Sequence, residues 1–541
     1  MLESEWRRYL DANPDHWWRE GVLYQIYPRS FADSDGDGVG DLRGIVEKLD
    51  HLSWLGIDGI WLNPTMASPN QDWGYDVVDY CSVHPEVGTM EDLDLLIHKA
   101  GERGIRVLLD LVPNHTSDRH AWFSDARSSR QARHRDWYVW ADPKPDGSPP
   151  NNWRSAFGGP AWTLEDTTQQ YYLHNFLATM PDLNWWNSEV REAFEEIQRF
   201  WYDRGVAGFR IDVAHGIVKD RELRDNPPAT ESDHWTIRRQ GQQPMYNFNR
   251  PEVHDVLRDW RRLADSQEPS RVLVGETFVL DLDTLATYYG VKDELHLAFN
   301  FPFIFADFES SQLRLIVRKV EELLAEPAWP VYAGSNHDQG RLASRWGGGG
   351  EPGTRCALMM LLTLRGTPFL YYGDEIGLPE VAVAPDQVQD EVGRRAMAAH
   401  GEARPGRDPE RTPMHWSAAP GAGFTQPEVR PWLPLGNYRA CNVADQQHGD
   451  SLLTFTRDLI ALRRAERELR TGAYQELPSP AGTWAWARGD HLLIALNLSG
   501  QESEIDAAGQ VLLGTRRDRE GEKVAGRLLL APWEGAVIAR A

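Results

Sequence analysis

REAFEEIQRFWYDRGVAGFRID, residues 191–212, follows one period in its first half and another in its second. Phe194, Ile197 and Trp201 recur at helical spacing. VAGFRID (206–212) is a short, near-continuous apolar run of the kind that forms a buried parallel strand. Side chains alternate along a strand, so Arg210 and Asp212 share one face while Phe209 and Ile211 take the other. A carboxylate buried alone is costly, and an arginine beside it keeps it ionised. A helix that feeds a buried strand is half of a βαβ unit, so the fold depends on how often the pattern recurs.

It recurs along most of the chain. Seven further apolar runs read as strands: GVLYQIYP (21–28), IDGIWLNP (57–64), IRVLLDLV (105–112), RVLVGE (271–276), HLAFNF (296–301), WPVYAGS (329–335) and PFLYYGDE (368–375). Helical segments such as DLDLLIHKAGERG (92–104) lie between them. Eight buried strands alternating with helices predict an α/β fold, a (β/α)8 barrel. Residues 116–185 are polar, aromatic and rich in Pro and Gly. They are too long for a plain connection, which predicts a small subdomain inserted after strand 3. Near the C-terminus TWAWARG, HLLIALNL and GAVIAR are separated by turn residues, which predicts a C-terminal antiparallel β-sandwich. The expected divisions are a first barrel part (1–115), the insert (116–185), a second barrel part (186–468) and the terminal β domain (469–541). Residues 378–412 read as charged loop.

Bulk properties narrow the function. The chain has 541 residues and a net charge of −24, without the basic excess that nucleic acid needs. No stretch approaches the ~18 apolar residues of a membrane span, and the N-terminus lacks an apolar signal core, so a cytoplasmic protein without membrane contact is expected. Cys81, Cys356 and Cys441 form no disulfide or zinc pattern. The 23 tryptophans suit both sugar stacking and core filling.

In barrels of this class, function gathers at the C-terminal strand ends. Those ends carry DLVPNH (110–115), Asp212, Glu276, His337 and Asp338. Carboxylates in one pocket destabilise each other, which a structural role does not require. A carboxylate pair suits glycoside cleavage, where one group protonates the leaving oxygen and the other meets the positive charge at the anomeric carbon. Asp212, beside Arg210, is expected to stay ionised as nucleophile. Glu276 has no neighbouring cation in sequence and is expected to be the acid/base.

DLVPNH, GFRID, GET and SNHD together resemble the four short signature regions of the α-amylase superfamily of glycoside hydrolases, and MPDLN (180–184) and GTPFLYYGDEIG (366–377) resemble two further ones. The resemblance implies a catalytic barrel, a B domain after strand 3, a C-terminal β-sandwich and retaining chemistry on α-glucosides. It makes Asp212 the nucleophile, Glu276 the acid/base and Asp338 the third carboxylate. His115 and His337 become hydroxyl-binding histidines, with Arg210 the arginine of the pattern. QDWGYDVVDY (71–80) and GRDPERTPMHW (406–416) resemble the glucosidase branch, in which an aspartate and a tyrosine, here Asp72 and Tyr75, seal the pocket floor. Arg407 is the expected partner of Asp72, with Arg411 the alternative. Phe157 and Phe176 resemble pocket aromatics of that branch or belong to the core of the insert.

The implied activity is a retaining, exo-acting α-glucosidase. It releases glucose from the non-reducing end of short α-glucosides such as maltose, isomaltose and maltooligosaccharides, with transglucosylation as a side activity. Alternatives are an oligo-1,6-glucosidase or dextran glucosidase, or a sugar transglucosylase or isomerase on the same scaffold. Val213 leans to α-1,6 linkages, whereas Ala214 and His215 depart from that pattern and leave linkage open. DSDGDGVGD (33–41) opens like a calcium loop, but Gly44 stands where an EF-hand needs its bidentate acid. The resemblance implies instead one structural Ca2+ or Mg2+ held by Asp33, Asp35, Asp37, Asp41 and the Val39 carbonyl, with no cofactor for catalysis. The expected partner is a small oligosaccharide substrate, and the expected state is a monomer or homodimer.

Overall fold

All eight predicted barrel strands form in the computed structural model, which describes residues 3–12, 16–348, 350–400 and 405–540. In chain order the strands begin with β1 (Leu23–Ile26), β2 (Gly59–Leu62) and β3 (Arg106–Leu111). Three strands of the insert follow, β4 (Trp140–Ala141), β5 (Trp162–Glu165) and β6 (Gln170–Leu173). The barrel resumes with β7 (Gly208–Ile211), β8 (Val272–Gly275), β9 (Leu297–Ala298), β10 (Val331–Ala333) and β11 (Thr367–Tyr371). The eight-stranded sheet runs β10-β11-β1-β2-β3-β7-β8-β9, the order of a (β/α)8 barrel. Its strands are buried almost end to end, which is why they read as continuous apolar runs rather than as alternating ones.

The described residues fall into two compact units. One comprises Met1–Leu62, Asp92–Val107 and Asn300–Ala541. In it β1 pairs in parallel with both β2 and β11. The helix Leu42–Leu55 starts on Asp41, whose carboxylate accepts from the Gly44 amide, and stops at Gly56, where φ of 98° suits a residue without a side chain. The C-terminal antiparallel domain is built from β12 (Tyr474–Leu477), β13 (Thr483–Arg488), β14 (Leu492–Asn497), β15 (Ser503–Gly514), β16 (Lys523–Leu530) and β17 (Glu534–Arg540). They lie in the order β12-β13-β14-β17-β15-β16 over a core that includes Ile505, Val511, Leu528 and Ile538. The segment expected as charged loop carries a helix, Glu391–His400, and residues 401–404 of that segment lie outside the described ones.

The other unit comprises Asn63–Glu91 and Leu108–Phe299. The helix Ser188–Asp203 buries Phe194, Ile197 and Trp201, the stripe visible in the sequence. The insert forms an antiparallel β4-β6-β5 sheet over a small core of Trp153, Ala161, Trp162 and Leu173. Among the described residues no helix is long and apolar enough to cross a membrane.

Candidate active site

Strand register brings the charged residues together. Asp110 on β3 lies opposite Arg210 on β7, and Ile211 lies opposite Gly275 on β8. Past the strand ends, the Asp212 amide donates to the Leu111 carbonyl and the Glu276 amide to the Ile211 carbonyl, each at 2.8 Å. Asp110, Asp212 and Glu276 are therefore carried on backbone that is laced together.

Arg210 sits at their centre, its side chain 3% exposed. Its Nη1 donates to both Asp110 oxygens at 2.8 and 3.0 Å and to Asp212 Oδ1 at 2.7 Å. Its Nη2 donates to Glu276 Oε2 at 2.7 Å. The same Oε2 accepts the Val213 amide at 3.0 Å. Val213 reaches it from φ of 45°, a left-handed conformation that is costly for a β-branched residue and of the kind that gathers at functional sites.

This geometry corrects the reasoning from sequence on two points. Glu276, expected to lack a cation, shares the guanidinium of Arg210. Asp212, expected to be held ionised by Arg210, is raised well above the ordinary carboxylate range. Burial is the main cause; Arg210 pulls the other way, and Glu276 and Asp110 push it higher. Burial likewise pushes Asp110 up to about 7 against the pull of Arg210. One cation facing three carboxylates, two of them buried, leaves net negative charge at the site. Asp110 was quoted at the strand end but not placed in the expected site; its register with Arg210 is what brings it in.

The neighbouring side chains form a partly aromatic wall. Tyr75 is buried; its hydroxyl donates to Asp110 Oδ2 at 3.0 Å and accepts from Asn63 at 2.8 Å. His115 donates through Nε2 to the Tyr75 carbonyl at 3.1 Å, because its Nδ1 is taken by the Asn114 amide at 3.0 Å. Burial lowers the His115 pKa to about 4, so the ring is neutral. Phe176 packs on His115 at 5.3 Å and Phe157 on Phe176 at 5.4 Å. Both phenylalanines are half-buried. Asp72 is buried, and its amide donates to Asp76 Oδ1 at 3.1 Å.

Asp338, in the other unit, is held by cations of its own. Arg411 Nη2 reaches its Oδ1 at 2.7 Å and Arg407 Nη1 at 3.2 Å. His337 Nε2 lies 3.3 Å from Oδ2, oriented by Gln25, which donates to His337 Nδ1 at 2.8 Å. Arg407 is also tied to Asp390 at 2.7 Å. In the same unit the ligand atoms of Asp33, Asp35 and Asp37 lie within 4.8 Å of one another. Asp41 is not part of that group. Its oxygens accept from Ser34 and from the Gly44 amide, so it caps the helix Leu42–Leu55.

Comparison with known proteins agrees with this layout. The family model for the alpha amylase catalytic domain matches residues 25–472. A probable alpha-glucosidase of Rhizobium meliloti (strain 1021) is 42% identical over 485 residues, 85% of each chain. An oligo-1,6-glucosidase of Heyndrickxia coagulans is 37% identical over 562 residues, 96% of this chain and 99% of that one. The crystal structure of the alpha-glucosyl transfer enzyme XgtA matches with a TM-score of 0.88 at 40% identity, covering 96% of this chain and 99% of that one. Matches this long, meeting a barrel whose strand ends carry a carboxylate pair on one arginine, show that the chain belongs to the alpha-amylase family and is a glycoside hydrolase.

Proposed function

We propose that the protein is a retaining, exo-acting α-glucosidase that releases glucose from short α-glucosides by double displacement. The observation that carries the reading is the pair Asp212 and Glu276 on the two ends of one guanidinium. Retention is read from the sequence resemblance, in which one carboxylate attacks the anomeric carbon and the other exchanges the proton.

In this reading Arg210 holds Asp212 through Oδ1, and Oδ2 attacks the anomeric carbon. Glu276, as the acid, gives its proton to the leaving oxygen. Glu276 then takes a proton from the water that releases the glucosyl unit. Two donors fix Oε2 of Glu276, so the transfer is assigned to Oε1. His115, Phe157, Phe176 and Tyr75 supply the wall against which a sugar ring packs. Asp72, Asp338, His337 and Arg407 are assigned to sugar hydroxyls on the sequence resemblance.

Asp33, Asp35 and Asp37 fit a hard divalent cation of structural role. Three carboxylates at this spacing repel, and burial with the charge of Asp37 already raises Asp35 above its ordinary range. The similarity to an alpha-glucosyl transfer enzyme supports a second reading, transfer of the glucosyl unit to an acceptor other than water.

Product analysis on maltose, isomaltose, sucrose and trehalose side by side separates the readings. Free glucose as the main product supports hydrolysis, and a dominant transfer product replaces it with the second reading. Asp212→Ala is expected to abolish turnover with the fold intact, and Glu276→Gln to cut it by about 10²–10⁴. Near-parental activity in either variant refutes the roles.

A further inference from the structure

Lys219 is a buried lysine on the segment beyond β7, its side chain 3% exposed. Its ammonium has three hydrogens and meets three acceptors: Asn114 Oδ1 at 2.5 Å, Asp182 Oδ2 at 2.9 Å and the Ile217 carbonyl at 3.2 Å. Asp182 comes from MPDLN (180–184) and bridges antiparallel to His115. Burial pulls the pKa of Lys219 down, and its pairing with Asp182 pulls it back up. An ammonium donates and cannot accept, so the atom of the Asn114 amide that faces it is the oxygen. The nitrogen of that amide is thereby turned to His115, and Nδ2 donates to the ring at Nδ1, 3.0 Å away. Turned the other way, the amide would set two donors against each other at Lys219, and its oxygen would call for a proton on Nδ1.

We propose that Lys219 is a positioning residue that fixes the tautomer of His115 through Asn114, so that the wall offered to the sugar carries a neutral ring with its proton on Nε2. A ring nitrogen that accepts has no proton of its own, and the bond made at one nitrogen decides the state of the other. Nε2 then donates to the Tyr75 carbonyl at 3.1 Å, which ties the ring to the segment that carries Asp72 and Tyr75. Burial is the main reason the ring stays neutral; Asp182 opposes it, and the charge of Lys219 adds to it. The same lysine steadies the neighbouring wall residue. Asp182 Oδ1 accepts the Asn175 amide at 2.9 Å, and the next residue, Phe176, packs its ring on His115 at 5.3 Å. One buried cation thus stands a single residue away from each of the two wall side chains, through Asn114 on one side and Asp182 with Asn175 on the other.

The inference rests on His115 being part of the substrate wall, and its test keeps the two apart. The tautomer is read by 15N NMR of histidine-labelled protein, with the His115 signals identified by their loss in His115→Gln. In the parent the proton is expected on Nε2 and Nδ1 is expected bare; a proton on Nδ1 would overturn the proposal. In Lys219→Met the Asn114 amide is free to turn, and a second population with the proton on Nδ1 is expected. KM on maltose is expected to rise about twofold or more, with a smaller change in kcat, as a hydrogen bond is lost from part of the molecules. If the Tyr75 carbonyl sets the tautomer alone, or if Lys219 only stabilises the fold, the variant has a lower Tm and the parent's tautomer, and either result would overturn the proposal. Asn114→Leu breaks the same chain one link further on without leaving Asp182 unpaired. It carries the test if Lys219→Met does not fold, and an unmoved tautomer there is equally decisive. The kinetics of His115→Gln bear on the wall itself: a KM like the parent's would remove His115 from the substrate wall and leave the tautomer result standing.

Discussion

Arg210→Leu isolates the charge arrangement on which the site depends. The substitution keeps apolar bulk at a buried position and removes the cation shared by Asp110, Asp212 and Glu276. Breaking a buried ion pair from one side costs about 3–5 kcal/mol, because the partner is left charged without compensation. Here the carboxylates can escape that cost by taking up protons, which makes the loss dependent on pH. Asp110 and Asp212 already have folded-state pKa values above their ordinary ones, and removing Arg210 raises them further. A carboxylate with a raised folded pKa favours the fold at low pH and loses that contribution as pH rises through the folded value. Each additional proton that the folded variant retains, against an ionised carboxylate in the unfolded chain, costs about 1.4 kcal/mol per pH unit, or about 4 kcal/mol between pH 5 and pH 8. Thermal unfolding of parent and variant at several pH values across that range reads the effect. The gap in Tm is expected to be small at the acid end and to widen steadily toward the alkaline end. A gap of constant size would mean that the three carboxylates ionise without Arg210 as they do with it, and the charge argument would be refuted.

Other outcomes test the surrounding parts. Chelation should lower the Tm of the parent and leave Asp35→Asn and Asp37→Asn unchanged, as read by thermal unfolding with and without EDTA; an equal response in all three would rule out the aspartate trio as a metal site. Asp41→Ala should cost about 1 kcal/mol of stability through loss of a helix cap, while its response to chelator stays like the parent's. Phe176→Ala removes a ring packed on His115 and should raise KM by about 2–12-fold, the equivalent of 0.5–1.5 kcal/mol, with a smaller effect on kcat.

The barrel was legible because its signal is local and repeated. A parallel strand covered on both faces is apolar along its whole length, and the chain announces eight of them. The parts that escaped are those with weaker local signals. Strands β15 and β16 alternate buried and exposed positions but are interrupted by Ala and Gly, so neither reads as strongly as TWAWARG. The helix Glu391–His400 is rich in helix formers yet crowded with charge, and it was read as loop. Asp41 stands at the head of a periodic apolar segment, the place of an N-cap, a role the reading of the aspartate-rich loop beside it passed over.

The site divides along the same line, between what lies close in sequence and what register alone brings near. Arg210 and Asp212 are two residues apart, and alternation along the strand was enough to pair them. Nothing in the sequence near Glu276 discloses a cation, because its partner comes from the next strand. Nor does DLVPNH disclose that its aspartate lies across the ladder from that same arginine. An absence of neighbouring charge in sequence was therefore poor evidence about Glu276. A guanidinium has two terminal nitrogens, and on a parallel sheet they reach both adjacent strands. The proposed acid/base assignment of Glu276 therefore needs a different footing from the one that suggested it. What separates the roles of Asp212 and Glu276 is not that one has a cation and the other lacks it. Both use one cation, but only Glu276 has one oxygen fixed by two donors, which leaves its other oxygen to meet the substrate.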